Sequence, residues 1–335
     1  MHICIVSIQL EPTPSPSRTL PSRVRLIVNP AAGRGLGARR LPAARAAFAA
    51  LTDEVALTAA PGDEARLTRA AVDDGCTTIA VLGGDGTWSN VARALLAAGA
   101  GERCALALLG AGTGSDYAKS VGAPAHDFAA TATLVADGAA AAVDAGRVDD
   151  EPFINVAGFG FDAAVVEVMG GVRWLRGDAL YLYAALRELF GYRGFGAEVR
   201  GAGDGAHGAA RRDMLAFVAA NGRYFGGTFL IAPGAALDDG QLDFVEVGPA
   251  GALRRAAIFA ASTRGRHVGM PEVRERRERS LVVRFDAPPL YEADGELRRA
   301  RARDVEIASL PRALRVVTRS LVAASAAGGR GAPAA

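Results

Sequence analysis

The sequence holds 335 residues, half of them apolar, and carries a formal net charge of +2. That length builds two domains with full cores, and so small a charge excludes recognition of nucleic acid by bulk electrostatics. Four scattered histidines and three cysteines without ligand spacing exclude a His-rich zinc centre, a His-based triad and a disulfide framework; Cys4, Cys76 and Cys104 read as ordinary thiols in a reducing compartment.

The chain begins with a short apolar stretch, Ile3 to Leu10, that lacks preceding basic residues and runs into Pro12, Pro14 and Pro16. It reads as a loose extension over residues 1–21 and not as a signal peptide. No apolar run approaches the ~20 residues that span a bilayer, so a cytoplasmic protein is expected, at most peripheral to the inner face of a membrane. Val24 to Val28 is predicted as a strand ended by Asn29-Pro30, followed by a Gly-rich turn, Ala31 to Gly37, and a helix from Arg39 to Leu51. Val55 to Thr58 is a short strand and Asp63 to Asp74 a helix. Thr78 to Leu82 is a buried strand that breaks at Gly83-Gly84-Asp85-Gly86-Thr87 and resumes as a helix through Val91 and Leu96.

Strand, glycine turn, helix is a geometry that aims backbone N–H groups at an anion. Glycines let phosphate oxygens approach the main chain. Asp85 would repel phosphates unless a divalent cation lay between them, so a phosphate site here also predicts Mg²⁺. The same residues serve equally as a plain turn in which Asp85 or Thr87 caps the helix. Cys104 to Leu109 is the next strand, and its turn, Gly110 to Ser115, leads to Thr113 and Asp116 at capping-box spacing. Three β-α units place three such turns on one edge of a parallel sheet, where ligands bind. No G-x-x-x-x-G-K-[ST] occurs, which excludes a P-loop enzyme.

Beyond an Ala-rich stretch near residues 128–143 the texture changes to strands joined by turns: Phe153 to Ala157, Ala197 to Arg200, Met214 to Ala220, Thr228 to Ala232, Leu242 to Val247, Leu281 to Phe285, Val305 to Ile307 and Leu314 to Val317. Helices Asp178 to Phe190 and Ala250 to Ala261 interrupt them. The expected organisation is an extension (1–21), an α/β nucleotide-binding domain (22–145), an antiparallel β-rich domain (146–320) and a tail (321–335). Arg274, Arg276, Arg277 and Arg279, interleaved with Glu272, Glu275 and Glu278, read as a solvated face, with anionic lipid headgroups the alternative. Asp238-Asp239-Gly240 and Asp294-Gly295 carry the two-residue hairpin signal.

In this order, Asn29-Pro30-x-x-Gly33-x-Gly35, Gly83-Gly84-Asp85-Gly86-Thr87, Gly112-Thr113-Gly114-Ser115-Asp116-Tyr117-Ala118-Lys119, Asn155-x-x-Gly158-x-Gly160-x-Asp162, Asn221-Gly222, Asp238-Asp239-Gly240 and Asp294-Gly295-Glu296 resemble the diacylglycerol kinase catalytic family, in its bacterial lipid kinase branch, which also resembles sphingosine kinases. The resemblance covers about residues 23–318. It implies a Rossmann-like three-layer α/β domain and a C-terminal antiparallel, sandwich-like β domain, with ATP bound between them and its γ-phosphoryl group passed to a lipid hydroxyl. Carried over, Asn29, Thr58, Gly83, Gly84, Asp85, Gly86 and Thr87 would hold the nucleotide, with Thr113 and Asp116 at the adjoining loop. Asp85 would act through Mg²⁺, Glu296 would be the general base with Asp294 beside it, and a structural Mg²⁺ would rest on the Asp239 side chain and the Ala236 and Gln241 carbonyls. This requires the second domain to fold back onto the first. Departures from the family's pattern are Ser115 for Asn, Tyr117 for Phe, Lys119 for Arg, and Trp88-Ser89-Asn90, which sets a bulky Trp88 beside the nucleotide loop. The lipid, presented at a membrane surface, is not named by the sequence; apolar residues such as Phe159, Phe161, Trp174, Leu175, Tyr181 and Leu189 would shape its pocket. A homodimer is an option, and the sequence does not decide the oligomeric state. An NAD kinase-like enzyme and a non-catalytic lipid-binding or regulatory protein are the alternatives.

Overall fold

The computed structural model describes residues 23–112, 114–172, 178–201, 211–319 and 321. The predicted extension, most of the predicted tail, Thr113, Trp174 and Leu175 lie outside the described residues, as does the side chain of Tyr181.

The first half alternates strand and helix: β1 (Val24–Val28), α1 (Ala32–Phe48), β2 (Val55–Leu57), α2 (Asp63–Asp73), β3 (Thr78–Gly83), α3 (Asp85–Ala97), β4 (Ala105–Gly110), α4 (Asp116–Val121) and α5 (Phe128–Ala136). β3 and β4 are buried at every residue because helices cover both faces of the sheet, α1 and α5 on one and α2 and α3 on the other. The strands are parallel in the order β2-β1-β3-β4. After β1 the chain leaves in one direction to β2 and returns on the other side as β3, which makes the β1/β3 junction the topological switch point. The first helix starts earlier than Arg39 and is kinked: Gly33, Arg34 and Gly35 all have positive φ.

The second half continues as β5 (Ala140–Val148), β6 (Glu151–Phe153), β7 (Val156–Gly160), α6 (Phe161–Gly171), α7 (Asp178–Gly191), β8 (Phe195–Gly201), β9 (Arg211–Met214), β10 (Ala216–Ala220), β11 (Tyr224–Phe225), β12 (Phe229–Leu230), β13 (Leu242–Val247), α8 (Ala252–Ser262), β14 (Val273–Glu278), β15 (Ser280–Phe285), β16 (Leu290–Ala293), β17 (Glu296–Arg299) and β18 (Asp304–Val317). An antiparallel sheet, β14-β13-β10-β7-β16-β17, packs face to face on β5, β8, β15 and β18. Aromatic rings fill the space between the sheets. Phe159 stacks on Phe285 at 5.3 Å and on Tyr291 at 5.4 Å, and Phe217 closes on Phe159 at 6.1 Å. Truncating a ring of this kind to Ala costs about 3–5 kcal/mol, so this core is a main holder of the second half.

Several predicted strands are redrawn. Phe153 to Ala157 and Met214 to Ala220 are each two strands, broken at Ile154-Asn155 and at Leu215. Val305 to Ile307 and Leu314 to Val317 are the ends of one strand, bulged between Leu310 and Leu314, where Arg312 takes φ 53°. That strand returns to the first half: β18 pairs with β4 in parallel through Arg315–Ala105 and Val316–Leu106, and with β5 along its length. The parallel sheet is therefore part of a ten-stranded mixed sheet that runs through both halves. Among the described residues no helix is long and apolar enough to cross a membrane.

Candidate functional site

The glycine turns meet at the carboxyl ends of β1, β3 and β4. Gly33 has φ 56°, and a Cβ there would stand 1.9 Å from the carbonyl oxygen of Ala111, so the first turn rests on the third as only glycine permits. Asn29 donates its Nδ2 to Thr87 Oγ1 at 3.0 Å and accepts the Ala31 N–H at 3.1 Å, which ties the first turn to the second. Thr58 is fixed by its N–H on the Val28 carbonyl at 2.9 Å. Above these residues lies a cleft of about 1170 Å³ whose wall includes Asn29, Thr58, Gly84, Gly86, Thr87 and, from the second half, Glu296.

The remaining sequence-expected residues lie beneath or beside the cleft. Gly83 is the last, buried residue of β3. Asp85 accepts the N–H groups of Ser115 at 2.8 Å and Tyr117 at 3.3 Å, so its carboxylate binds the second turn to the third. Burial, and then the charge of Asp116, push its carboxyl above the usual range. Asp116 accepts the Gly227 N–H at 2.7 Å and an ammonium hydrogen of Lys119 at 3.1 Å; Lys119 in turn donates to the Gly227 carbonyl at 2.8 Å. The only lysine of the sequence thus braces the two halves. α4 begins at Asp116 with Ser115 at its N-cap, φ 52° and without a side-chain cap, while Thr113, the other member of the expected capping box, lies outside the described residues. Trp88 does not flank the nucleotide turn. It is fully buried and donates its indole N–H to the Val81 carbonyl at 3.1 Å.

The second half reaches the cleft through two hairpins, β5–β6 with Asp150, Glu151 and Pro152 and β16–β17 with Glu296 and Arg298. Ala293 pairs with Glu296 across Asp294 (φ 51°) and Gly295 (φ 87°), the two positive angles that a tight Asp-Gly turn demands. Asp294 accepts the N–H groups of Ile154, Asn155 and Val156 at 2.9, 2.9 and 3.2 Å and the Ser89 hydroxyl at 2.5 Å. So engaged, Asp294 anchors the hairpin. Glu296 faces the cleft, 2.8 Å from Arg93 and 3.0 Å from Arg298. Sequence reasoning missed Ser89, Arg93 and Arg298 as site residues. For Arg93 the available signal was spacing: Gly86, Asn90 and Arg93 fall on one face of α3.

At the second Asp-Gly turn no hairpin forms. Asp239 accepts the Gln241 N–H at 3.0 Å and stands 3.8 Å from Arg277, with Ala236 just upstream. Buried Asp144 accepts the Gly240 N–H at 2.6 Å, and burial, then Asp239 and Asp238, raise its carboxyl. Among the described residues no group of three His, Cys, Asp or Glu side chains could hold a metal ion. A carboxylate with main-chain oxygens, in a surplus of negative charge, still suits a hard divalent cation.

Between α6, α7, α8 and the antiparallel sheet lies an apolar cavity of about 100 Å³, lined by Phe161, Leu189, Phe225, Phe229, Ile258 and Phe259. Asp162 stands in its wall, and burial pushes that carboxyl up to about 7. Phe159, expected among the pocket residues, belongs instead to the core between the sheets.

Fold and site together define a two-part α/β plus β-sandwich protein with a polar cleft at the switch point of its parallel sheet. Residues 23–148 match the diacylglycerol kinase catalytic domain, and residues 155–318 match the YegS C-terminal NAD kinase beta sandwich-like domain. A diacylglycerol kinase of Mycobacterium tuberculosis is 32% identical over 305 residues, 88% of this chain and 94% of that protein. A protein of Pseudomonas fluorescens named "Probable lipid kinase YegS-like" is 33% identical over 245 residues, 71% of this chain and 79% of its own. Two crystal structures from Bacillus anthracis str. Sterne, the second titled a diacylglycerol kinase, match with TM-scores of 0.72 and 0.67 at 22% and 20% identity, covering 90% of this chain and 98% of theirs; that likeness concerns the fold. The chain belongs to the diacylglycerol kinase catalytic-domain family, in its YegS-like lipid kinase branch.

Proposed function

We propose that the chain is a Mg²⁺-dependent lipid kinase that moves the γ-phosphoryl group of ATP onto the hydroxyl of a diacylglycerol or sphingoid-base type of lipid. The observation that carries this reading is that Glu296, from the second half, lines the same cleft as the glycine turns of the first. Asn29, Thr58 and Gly83 to Thr87 hold the nucleotide, and backbone N–H groups at the start of α3 face its phosphates. Buried Asp85 beside Asp116 leaves negative charge that suits a divalent ion; when bound there, Mg²⁺ would neutralise charge on the phosphates. Glu296 accepts the proton of the lipid hydroxyl as the oxygen–phosphorus bond forms and the bond from the γ-phosphorus to the bridging oxygen breaks, releasing ADP. Phosphoryl transfer needs positioning more than a strong base, so a half-exposed carboxylate is sufficient. Asp294 sets the hairpin on which Glu296 stands, and Asp116 holds the adjoining loop.

The apolar cavity beside α7 receives part of the lipid body. Phe190 on α7 and Leu253 at the start of α8, 67% and 90% exposed, are suited to peripheral contact with a bilayer. Asp239, with the Ala236 and Gln241 carbonyls, is the position for a structural cation. Radiolabelled ATP offered with a panel of lipids in mixed micelles tests the reading. Labelled phospholipid is expected; label on NAD, or ATP binding with no lipid labelled, would overturn it.

A further inference from the structure

Two arginine side chains in the cleft wall each keep a nitrogen without a partner. The Arg93 side chain is 12% exposed; its Nη2 serves Glu296 at 2.8 Å and the Asn90 side-chain oxygen, while its Nη1 is buried and makes no hydrogen bond. Arg298 gives Nη1 to Glu151 at 2.7 Å and Nη2 to Glu296 at 3.0 Å, and its Nε is likewise buried and open. Buried, open donor atoms on a guanidinium are uncommon in native proteins and normally await an ion, a water or a ligand. Both arginines line the cleft.

Their position relative to the glycine turn follows from helix geometry. Gly86, Asn90 and Arg93 all line the cleft from one face of α3. Gly86 and Arg93 are separated by seven residues, about 10 Å of helix. Helical side chains lean toward the N-terminus, so the long Arg93 side chain returns over much of that distance toward the turn. A planar guanidinium is the group that grips phosphate oxygens in pairs. Both positions lie outside the motifs that carry the family resemblance: Arg93 belongs to none of them, and Arg298 follows the last.

We propose that Arg93 and Arg298 form a phosphoryl-binding pair at Glu296, built to take the terminal phosphate of the nucleotide. The inference deepens the kinase reading above and rests on it. In the free protein Glu296 occupies the pair. Entry of the terminal phosphate moves the guanidinium groups from the carboxylate to phosphate oxygens and frees Glu296 to accept the hydroxyl proton. The base thus becomes available when there is a group to transfer. A phosphate in a lipid headgroup offers the same chemistry, and the experiment separates the two sources.

The full chain and its Arg93→Gln, Arg93→Lys and Arg298→Gln variants are compared by calorimetric titration with Mg-ATP and Mg-ADP, by kcat and KM on diacylglycerol and phosphatidylglycerol micelles, and by thermal melting. In Arg93→Gln the preference for ATP over ADP falls about tenfold and kcat falls on the order of 100-fold. Arg93→Lys recovers part of kcat, and the melting temperature changes little. An unchanged ATP-to-ADP preference with a raised KM for phosphatidylglycerol alone would keep the phosphoryl-binding pair and assign its ligand to the lipid. Variants that bind ATP and ADP in the wild-type ratio and turn over both lipids as the wild type does would overturn it. If the wild type labels neither lipid, the kinase reading fails, and the ATP-to-ADP ratio still reads the pair separately.

Discussion

The hydroxyl of Ser89 donates to the carboxylate of Asp294 at 2.5 Å, across 205 residues of chain. Ser89 stands one turn before Arg93 on α3, and Asp294 stands two residues before Glu296. The helix that starts at the glycine turn therefore holds the hairpin at two successive points, 2.5 Å and 2.8 Å apart respectively. The position of the proposed base is inherited from the position of the nucleotide turn.

Replacing Ser89 with Ala removes the first of these contacts and leaves Asp294 its three backbone donors. A hydrogen bond to a carboxylate contributes about 1.5–3 kcal/mol, so a drop in melting temperature of a few degrees is expected, with kcat falling more than KM for ATP rises. Calorimetric melting with steady-state kinetics checks both. A variant with wild-type kcat would show that the hairpin keeps its place without Ser89.

Glu296→Gln keeps the shape of the side chain and removes its capacity to take a proton. Phosphoryl transfer should fall by on the order of 10²–10⁴ while ATP still binds. Asp85→Asn retains an oxygen for only one of the Ser115 and Tyr117 N–H groups, which the carboxylate takes on separate oxygens, and loses the charge that suits a cation, so transfer should collapse while the secondary structure is kept. Labelled-phosphate transfer measured beside circular dichroism decides; full activity in either variant removes that residue from the mechanism.

Asp239→Ala addresses the cation at the second Asp-Gly turn. The wild type should melt at a higher temperature with Mg²⁺ than with chelator, and the variant should melt lower and respond less. Equal melting temperatures of the wild type in both conditions would count against a structural cation there.

Asp162 gives a pH prediction. Its carboxyl is pushed up from 3.8 to about 7 by burial, so the folded state holds this proton more tightly than the unfolded chain. The associated stability is complete below about pH 4 and is lost as pH rises to about 7. The whole effect is roughly 4 kcal/mol at most. Denaturant unfolding of Asp162→Asn across this window should show a flatter profile than the wild type. An identical slope in both proteins would mean that Asp162 ionises without cost.

The parts legible in the sequence share a physical reason. β1, β3 and β4 are apolar runs because both faces of a parallel sheet are covered, and the Asp294-Gly295 turn announces itself because its backbone angles admit few residues. β5 was hidden because it is built from alanines around Asp144 and Arg147, with no periodic signal. β14 was read as a solvated face because charges alternate along it, which is how an edge strand protects itself from further pairing. β18 looked like two strands because Pro311 and Arg312 interrupt its pattern at the bulge.

The site was legible as a set of types and not as a set of directions. Asn29, Thr58, Gly84, Gly86, Thr87 and Glu296 do come together around one cleft. Whether Trp88 faces the phosphates or the core depends on helix phase against the sheet, and residue identity does not reveal it. Asp294 and Glu296, two residues apart, differ in the same way. Asp294 turns toward a hydroxyl and backbone N–H groups that are 138 residues away and more, and Glu296 toward the cleft.

The return of β18 to the flank of β4 has a practical corollary for dissecting this chain. Cutting between residues 148 and 155, where the two family matches part, would strip β4 of its neighbour and bare an apolar edge ready to pair with other molecules. Neither fragment should be expressible as a stable piece by itself. Produced together, the two fragments should find each other and rebuild the cleft, which would make the native chain a natural candidate for a split reporter.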